Sequence, residues 1–202
     1  MLKIKIILGS TRPNRFSDKP GNWIFEAAKK KDDVEAELLD LRDYPLPFFD
    51  ESTSPARIKD GAYPNEIARK WAAKIREADA FIIVTPEYNH GASGVLKNAL
   101  DYIYTEWNNK PVGFVAYGGV GGARAVEQLR EVAVELQMAP IRNAIHIPQH
   151  WNLLDENGKL KTGALDPFKK SADTFLGQLL WWAKALKTAR EQPLEKQEES
   201  IN

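Results

Sequence analysis

The chain of 202 residues reads as an α/β protein. Its predicted core is a five-stranded parallel sheet in the order 2-1-3-4-5, with helices on both faces. Three observations predict this. Short apolar runs alternate with helical patterns along most of the chain. The runs are nearly continuous in apolar residues, as strands covered on both faces are. The three loops richest in glycine and polar residues follow the first, third and fourth runs. The order 2-1-3-4-5 makes those strands neighbours, so the loops share one crevice at the carboxyl ends of the strands, where such sheets bind ligands.

The elements follow in order. Ile4 to Leu8 is a short apolar run closed by Gly9-Ser10, a buried strand and its turn. Lys19 to Lys30 is a helix with Trp23, Ile24, Ala27 and Ala28 as its apolar stripe. Glu35 to Leu41 is the second strand. Arg42 to Asn65 carries Pro45, Pro47, Pro55 and Pro64 and reads as a long irregular connection, functional or part of a subunit contact. Ile67, Trp71, Ile75 and Ala78 mark one helical face. Ala80 to Thr85 is the third strand, and a helix runs from Ser93 to Tyr104. Pro111 to Tyr117 is the fourth strand. Val126, Leu129, Ala133 and Leu136 mark the next helix, and Ala144 to Ile147, ended by Pro148, is the fifth strand. The last helix spans Asp166 to Arg190. Residues 1–190 form one domain, and 191–202 reads as a polar tail.

Composition removes several function classes. Lys plus Arg and Asp plus Glu both number 28, so the formal net charge is zero and bulk attraction to nucleic acid is absent. With no cysteine, disulfides, thiolate metal sites and cysteine nucleophiles are excluded. No apolar run approaches the roughly 18 residues of a membrane span, and Met1 to Lys5 resembles no signal peptide. A soluble, cytoplasmic protein is expected.

The chemistry lies in the three loops. Gly9 to Ser17 joins the first strand to the first helix. Its hydroxyls at Ser10, Thr11 and Ser17, its guanidiniums at Arg12 and Arg15, and the N–H groups of the helix start suit a phosphate. The alternative is an ordinary turn in which Ser17 or Asp18 caps the helix. The loop is neither a P-loop nor a dinucleotide fingerprint, because Gly-Lys-Ser/Thr and G-x-G-x-x-G are both missing. A monophosphate fits it better. After the third strand, Pro86-Glu87-Tyr88-Asn89-His90-Gly91 offers a stiff backbone, a stacking ring and an amide that could read the edge of a flat heterocycle; the alternative is a turn with a surface tyrosine. After the fourth, Gly118-Gly119-Val120-Gly121-Gly122 lets backbone approach a ring closely, or is a flexible turn before a helix.

Together these motifs resemble the flavodoxin-like family of NAD(P)H-dependent FMN reductases, which includes quinone, azo-dye and chromate reductases. The residues that carry the resemblance are Leu8-Gly9-Ser10-Thr11-Arg12 with Ser17, then Pro86 to Gly91 with Leu96-Lys97-Asn98-Ala99-Leu100-Asp101, then Tyr117 to Arg124, within residues 3–150. The resemblance implies that Ser10, Arg12 and Ser17 hold the FMN phosphate. It implies that Pro86, Glu87, Tyr88, Asn89 and Gly91 line the isoalloxazine, with Gly118, Gly119 and Gly121 at the opposite edge. It further implies hydride transfer from NADPH or NADH to FMN and then to a small-molecule acceptor, in ping-pong order, by a homodimer or homotetramer. No catalytic side chain and no metal is required. Two departures stand out: Ser93 replaces the proline, and Asp18 the asparagine, of many relatives. A carboxylate at position 18 would repel a phosphate unless it turns away.

Other residues carry less. Pro148 between His146 and His150 removes the helical spacing that a metal pair would use. Tyr102, Tyr104 and Trp107 look too aromatic for an ordinary surface: they are either core or, as the resemblance implies because relatives pair through this region, part of a homodimer or tetramer interface, and the interface is the favoured reading. An electron carrier of the flavodoxin type, or a non-catalytic FMN-binding module, is the competing reading; carriers tend to be acidic, and this chain is neutral.

Overall fold

The computed structural model describes residues 1–192; from Pro193 onward the expected polar tail lies outside the described residues. Five strands form one parallel sheet in the order β2-β1-β3-β4-β5, as the sequence predicts. They are β1 (Leu2–Leu8), β2 (Val34–Asp40), β3 (Ala80–Pro86), β4 (Pro111–Gly118) and β5 (Ala139–Pro148). The helices are α1 (Asp18–Lys29), α2 (Glu66–Arg76), α3 (Gly94–Asp101), α4 (Ala123–Glu135) and α5 (Lys169–Glu191).

The register brings the functional loops level. Leu8 pairs with Asp40 and with Val84, and Pro86 pairs with Tyr117. β1, β3 and β4 therefore deliver their following loops to one rim of the sheet. The core lies in two halves. On one face, Trp71 of α2, Leu96 of α3 and Leu129 of α4 pack against Ile7, Phe81 and Phe114. On the other, Ile24 of α1 and Phe175 and Leu179 of α5 pack against Ile6, Ile82 and Val115. A side chain at Gly113 would overlap the Phe175 ring, so glycine there lets α5 sit close to β4.

Local capping chemistry explains two helix starts. Asn65 accepts from the N–H groups of Ile67 and Ala68 and caps α2. Ser93 accepts from the Leu96 N–H at the start of α3, and its hydroxyl donates to the Gly9 carbonyl. Serine thus caps the helix at the position where many relatives have proline, and it also ties α3 to the first loop.

Several boundaries and one assignment differ from expectation. α3 ends at Asp101, not Tyr104. β5 begins at Ala139 because the chain is already paired with Pro111 there, with an irregularity between Val112 and Phe114. A short 3₁₀ turn, Asp166–Phe168, precedes α5. Tyr102 and Trp107 are corrected from a subunit contact to core: both are buried within the chain, and Trp107 packs edge-on against Trp71 and Phe81. Within the long connection, Tyr44, Leu46 and Phe49 pack on the same half of the core, and Asn98 of α3 pins it by accepting from the Phe49 N–H and donating to the Pro47 carbonyl.

Candidate active site

A cleft of about 660 Å³ opens at the carboxyl ends of β1, β3 and β4. That lies within the roughly 300–1,000 Å³ typical of small-ligand sites. The first loop forms one wall, Pro86 to Tyr88 and Tyr117-Gly118 form the floor, and the loop after β5 forms the other side with His150, Leu154 and Asn157.

The first loop is held from within. Arg15, almost wholly buried, donates to the Ser10 carbonyl, grips both oxygens of Asp40 (2.7 and 2.6 Å) and reaches Asp18 through Nε (2.7 Å). Arg42 also pairs with Asp40 (2.7 Å). Burial by itself would raise the Asp40 carboxyl, but the hydrogen bonds from Arg15 and Arg42 outweigh it and hold it well below the usual carboxylate range. Asp18 turns toward Arg15 and does not cap α1. Among the described residues, Arg12 and Lys19, which also line the cleft, enter no salt bridge. The charge available to a ligand is therefore positive at this end.

Two hydroxyl pairs close the loop behind the cleft. Ser10 Oγ lies 2.9 Å from Tyr88 Oη, and Ser17 Oγ lies 2.6 Å from Tyr117 Oη. Both serines are fully buried. Burial pushes the Tyr117 hydroxyl up to about 12, so it stays protonated at neutral pH. The Arg12 guanidinium lies over the Tyr88 ring, 5.6 Å from its centroid.

The loop after β3 is a tight turn. Tyr88 and Gly91 exchange both backbone hydrogen bonds (2.9 and 3.1 Å), and Asn89 and His90 between them are left-handed, with φ of 49° and 70°. Two successive positive φ angles are those of a type I′ turn. A side chain at Gly91 would meet Gln128 of α4 at 2.6 Å. After β4, Gly121 and Gly122 are also left-handed, both with φ of 72°, which turns the chain into α4.

The predicted residues separate into groups. Arg12, Arg15, Pro86, Glu87, Tyr88 and Gly118 line the cleft. Ser10 and Ser17 stand one layer behind it, each against a tyrosine hydroxyl. Thr11 lines a separate apolar cavity beside Leu46 and Val95. Asn89 and Gly91 form the turn beyond Tyr88. Gly121 packs against His146, and Gly119 lies near Trp151. Sequence reasoning passed over Phe16, Lys19 and Asn157 as cleft residues, and did not give Tyr117 its partner. The Ser17–Tyr117 pair joins positions 100 apart, which no local pattern reveals. His150 also lines the cleft; of the two readings its sequence allows, a surface loop or, with Trp151, the entrance to the ring, the sequence favoured the first. Among the described residues, no group of three or more His, Asp or Glu side chains is placed to hold a metal.

The sequence profile of the NADPH-dependent FMN reductase family matches residues 2–152. The chain belongs to that family. It is accordingly an FMN-dependent NAD(P)H oxidoreductase of flavodoxin-like fold. It is 38% identical to an NAD(P)H-dependent FMN reductase of Schizosaccharomyces pombe, over 82% of this chain and 79% of the relative. It is 29% identical to a 2-hydroxy-1,4-benzoquinone reductase of a Burkholderia species, over 91% of this chain and 97% of the relative. In structure it is similar to a flavoenzyme NAD(P)H:(acceptor) oxidoreductase from Paracoccus denitrificans, with a TM-score of 0.69 and 21% identity over 90% of this chain and 98% of that one; that likeness concerns the fold. Among the described residues of this family member, no helix is long and apolar enough to cross a membrane.

Proposed function

We propose that this reductase holds FMN in the cleft at the ends of β1, β3 and β4 and passes hydride from NAD(P)H to quinones and similar small acceptors in ping-pong order. The observation that carries the reading is the make-up of the cleft. Its lining combines Arg12 and Lys19, which enter no salt bridge among the described residues, with the rigid and flat surfaces of Pro86, Tyr88 and Gly118. This suits a molecule that joins a phosphate to a flat ring. When bound, FMN supplies a ring that accepts and returns a hydride.

The side chains bind and orient. Arg12 and Lys19 neutralise the phosphate. When Ser10 donates to Tyr88, the Tyr88 O–H at the cleft wall is left to meet an oxygen of the ligand, while Ser10 stays buried behind it. Ser17 fixes Tyr117 in the same way. Arg15 acts through the loop, because its guanidinium is given to Ser10, Asp18 and Asp40. Gly91 keeps the ring loop against α4 and Asn89 shapes its turn. At the far edge, the Gly121 N–H is spent on the Gly118 carbonyl (3.3 Å) and is not free for a ring. Thr11 faces away from this cleft and is the weakest member of the set.

We also read the protein as a homodimer or homotetramer. Trp181 and Phe48 support this, being large apolar side chains left mostly exposed on one chain; light scattering measures it. The central test is absorbance. FMN should bind with one per chain and bleach on anaerobic addition of NADPH or NADH, and initial rates against both substrates should give parallel double-reciprocal lines. A protein that binds no added FMN would overturn the assignment of the cleft.

A further inference from the structure

Trp151 is an indole 54% exposed on a loop that is otherwise tightly held. Gln149, two residues earlier, adopts a left-handed backbone (φ 46°), a conformation residues with a Cβ rarely take. It is fixed there because its N–H donates to the Gly118 carbonyl (2.8 Å) and its own carbonyl accepts from Asn152 (2.9 Å). His150 is wedged between Phe16 and Tyr117, with ring centroids at 4.7 and 5.0 Å. Trp151 stands edge-on to His150 at 5.3 Å. Its Cη2 is the nearest atom, at 3.9 Å, to the place a side chain on Gly119 would occupy. The loop after β5 is thus bolted to the end of β4, and the bolt carries an open aromatic face to the glycine turn at the mouth of the cleft.

We infer that Trp151 is the platform on which planar electron acceptors stack, with His150 as the ring that holds it in place. The inference rests on the flavin lying in the cleft below Gly118. It assigns selectivity to a loop outside the three motif loops. Aromatic faces attract flat rings, and the platform itself carries no charge. The Nδ1 atom of His150 is buried without a hydrogen-bond partner among the described residues, and burial lowers its proton affinity, so the ring stays neutral at neutral pH. A neutral para-quinone is favoured over a compact anion. Its reduction to the hydroquinone takes one hydride, drawn from NAD(P)H, and one proton from water. Ferricyanide instead takes one electron per ion, so two ions oxidise one NAD(P)H and release one proton, and they need no stacking surface.

The test compares two acceptors in the FMN-loaded protein. For Trp151→Ala, the ratio of kcat/KM for 2-methyl-1,4-naphthoquinone to kcat/KM for ferricyanide should fall about five- to tenfold, the size of one aromatic contact, with the change in the quinone KM. Trp151→Phe should restore most of it. The dissociation constant of the same quinone, read from fluorescence quenching of the oxidised holoenzyme without NAD(P)H, should rise in parallel for Trp151→Ala. An unchanged ratio in a variant that still binds FMN would overturn the inference alone, as would an equal fall for both acceptors. Absence of FMN binding in the unmodified protein would instead remove the assignment of the cleft beneath it.

Discussion

Glu87 and Arg124 meet twice: the Glu87 carboxylate accepts from Arg124 Nε at 2.9 Å and from the Arg124 backbone N–H at 3.1 Å. The first contact joins the ring loop after β3 to α4. The second supplies the cap that α4 otherwise lacks, because its N-cap residue is Gly122 with no side chain to give. Arg124 reaches on to His90 (2.6 Å), and Gln128, one turn later, donates to the His90 carbonyl. The turns after β3 and β4 that frame the proposed ring site are therefore one mechanical unit.

Glu87→Ala should uncap α4 and free the ring loop. The expected loss is about 1–3 kcal/mol of unfolding free energy, the size of a cap plus a charge-assisted hydrogen bond, together with weaker FMN binding. Urea unfolding and FMN fluorescence titration measure the two effects. Glu87→Gln keeps an acceptor for the Arg124 N–H and should recover part of the stability. A variant as stable as the parent would show that the cap is idle.

How much of this was readable in the chain depends on the range of the interaction. All five strands were legible as short local patterns, and their order from the need to bring the three ligand-type loops to one crevice together with the family resemblance. The rim location was legible for the same reason. What escaped were contacts between distant positions. Ser10 and Ser17 looked like phosphate donors because serine in a turn offers a hydroxyl. Only the packing shows those hydroxyls turned to Tyr88 and Tyr117. Arg15 looked like a free cation because its partner Asp40 ends a different strand. Tyr102 and Trp107 looked like interface residues because α3 stops at Asp101 and the chain then turns inward, which periodicity does not report.

The two tyrosines should separate in their effects. Tyr117→Phe leaves the fully buried Ser17 hydroxyl without its partner, which costs about 1–3 kcal/mol of stability. Tyr88→Phe also takes the tyrosine partner from Ser10, but the Ser10 Oγ keeps the Arg12 N–H (3.5 Å), so its stability cost should be the smaller; its main effect should be weaker FMN binding, by about tenfold for one lost hydrogen bond of roughly 1.4 kcal/mol. Thermal unfolding without FMN, set beside FMN titration, distinguishes them. Equal behaviour of the two variants in both assays would contradict the arrangement.

Asp40 should set the acid limit of the first loop. Its folded carboxyl lies below the ordinary value, so the stability it contributes is present above that value, near pH 4. It is lost progressively as pH falls further toward the folded one. Asp40→Asn leaves the Arg15 guanidinium, whose side chain is 1% exposed, without its main counter-charge. The expected cost at pH 7 is about 3–4 kcal/mol, at the low end of the range for breaking a buried pair because Asp18 still pairs with Arg15. The difference between parent and variant should shrink below pH 4. A constant difference from pH 7 to pH 2 would rule the pairing out as its source.

Lys110 predicts a change at the other end of the pH scale. Its amine is buried at the start of β4, beneath the last turn of α2, and donates to the carbonyls of Ile75 (2.9 Å) and Arg76 (3.1 Å). Burial, with Arg190 nearby, lowers it from its ordinary value to about 7. The sign follows from proton counting. Between about pH 7 and the ordinary lysine value near 10.5 the unfolded chain binds more protons than the folded one, so stability should rise with pH in that window. The slope approaches but does not exceed about 1.4 kcal/mol per pH unit. Below pH 7 both states carry the charge and this contribution is flat. Lys110→Met removes the titrating amine while keeping most of its packing volume. Urea unfolding at pH 7 and pH 9 should show the parent gaining stability with pH and the variant gaining less. The variant should also be the more stable protein at pH 7, unless the two α2 carbonyls, which lose their donor, cost more than the buried charge they accept from.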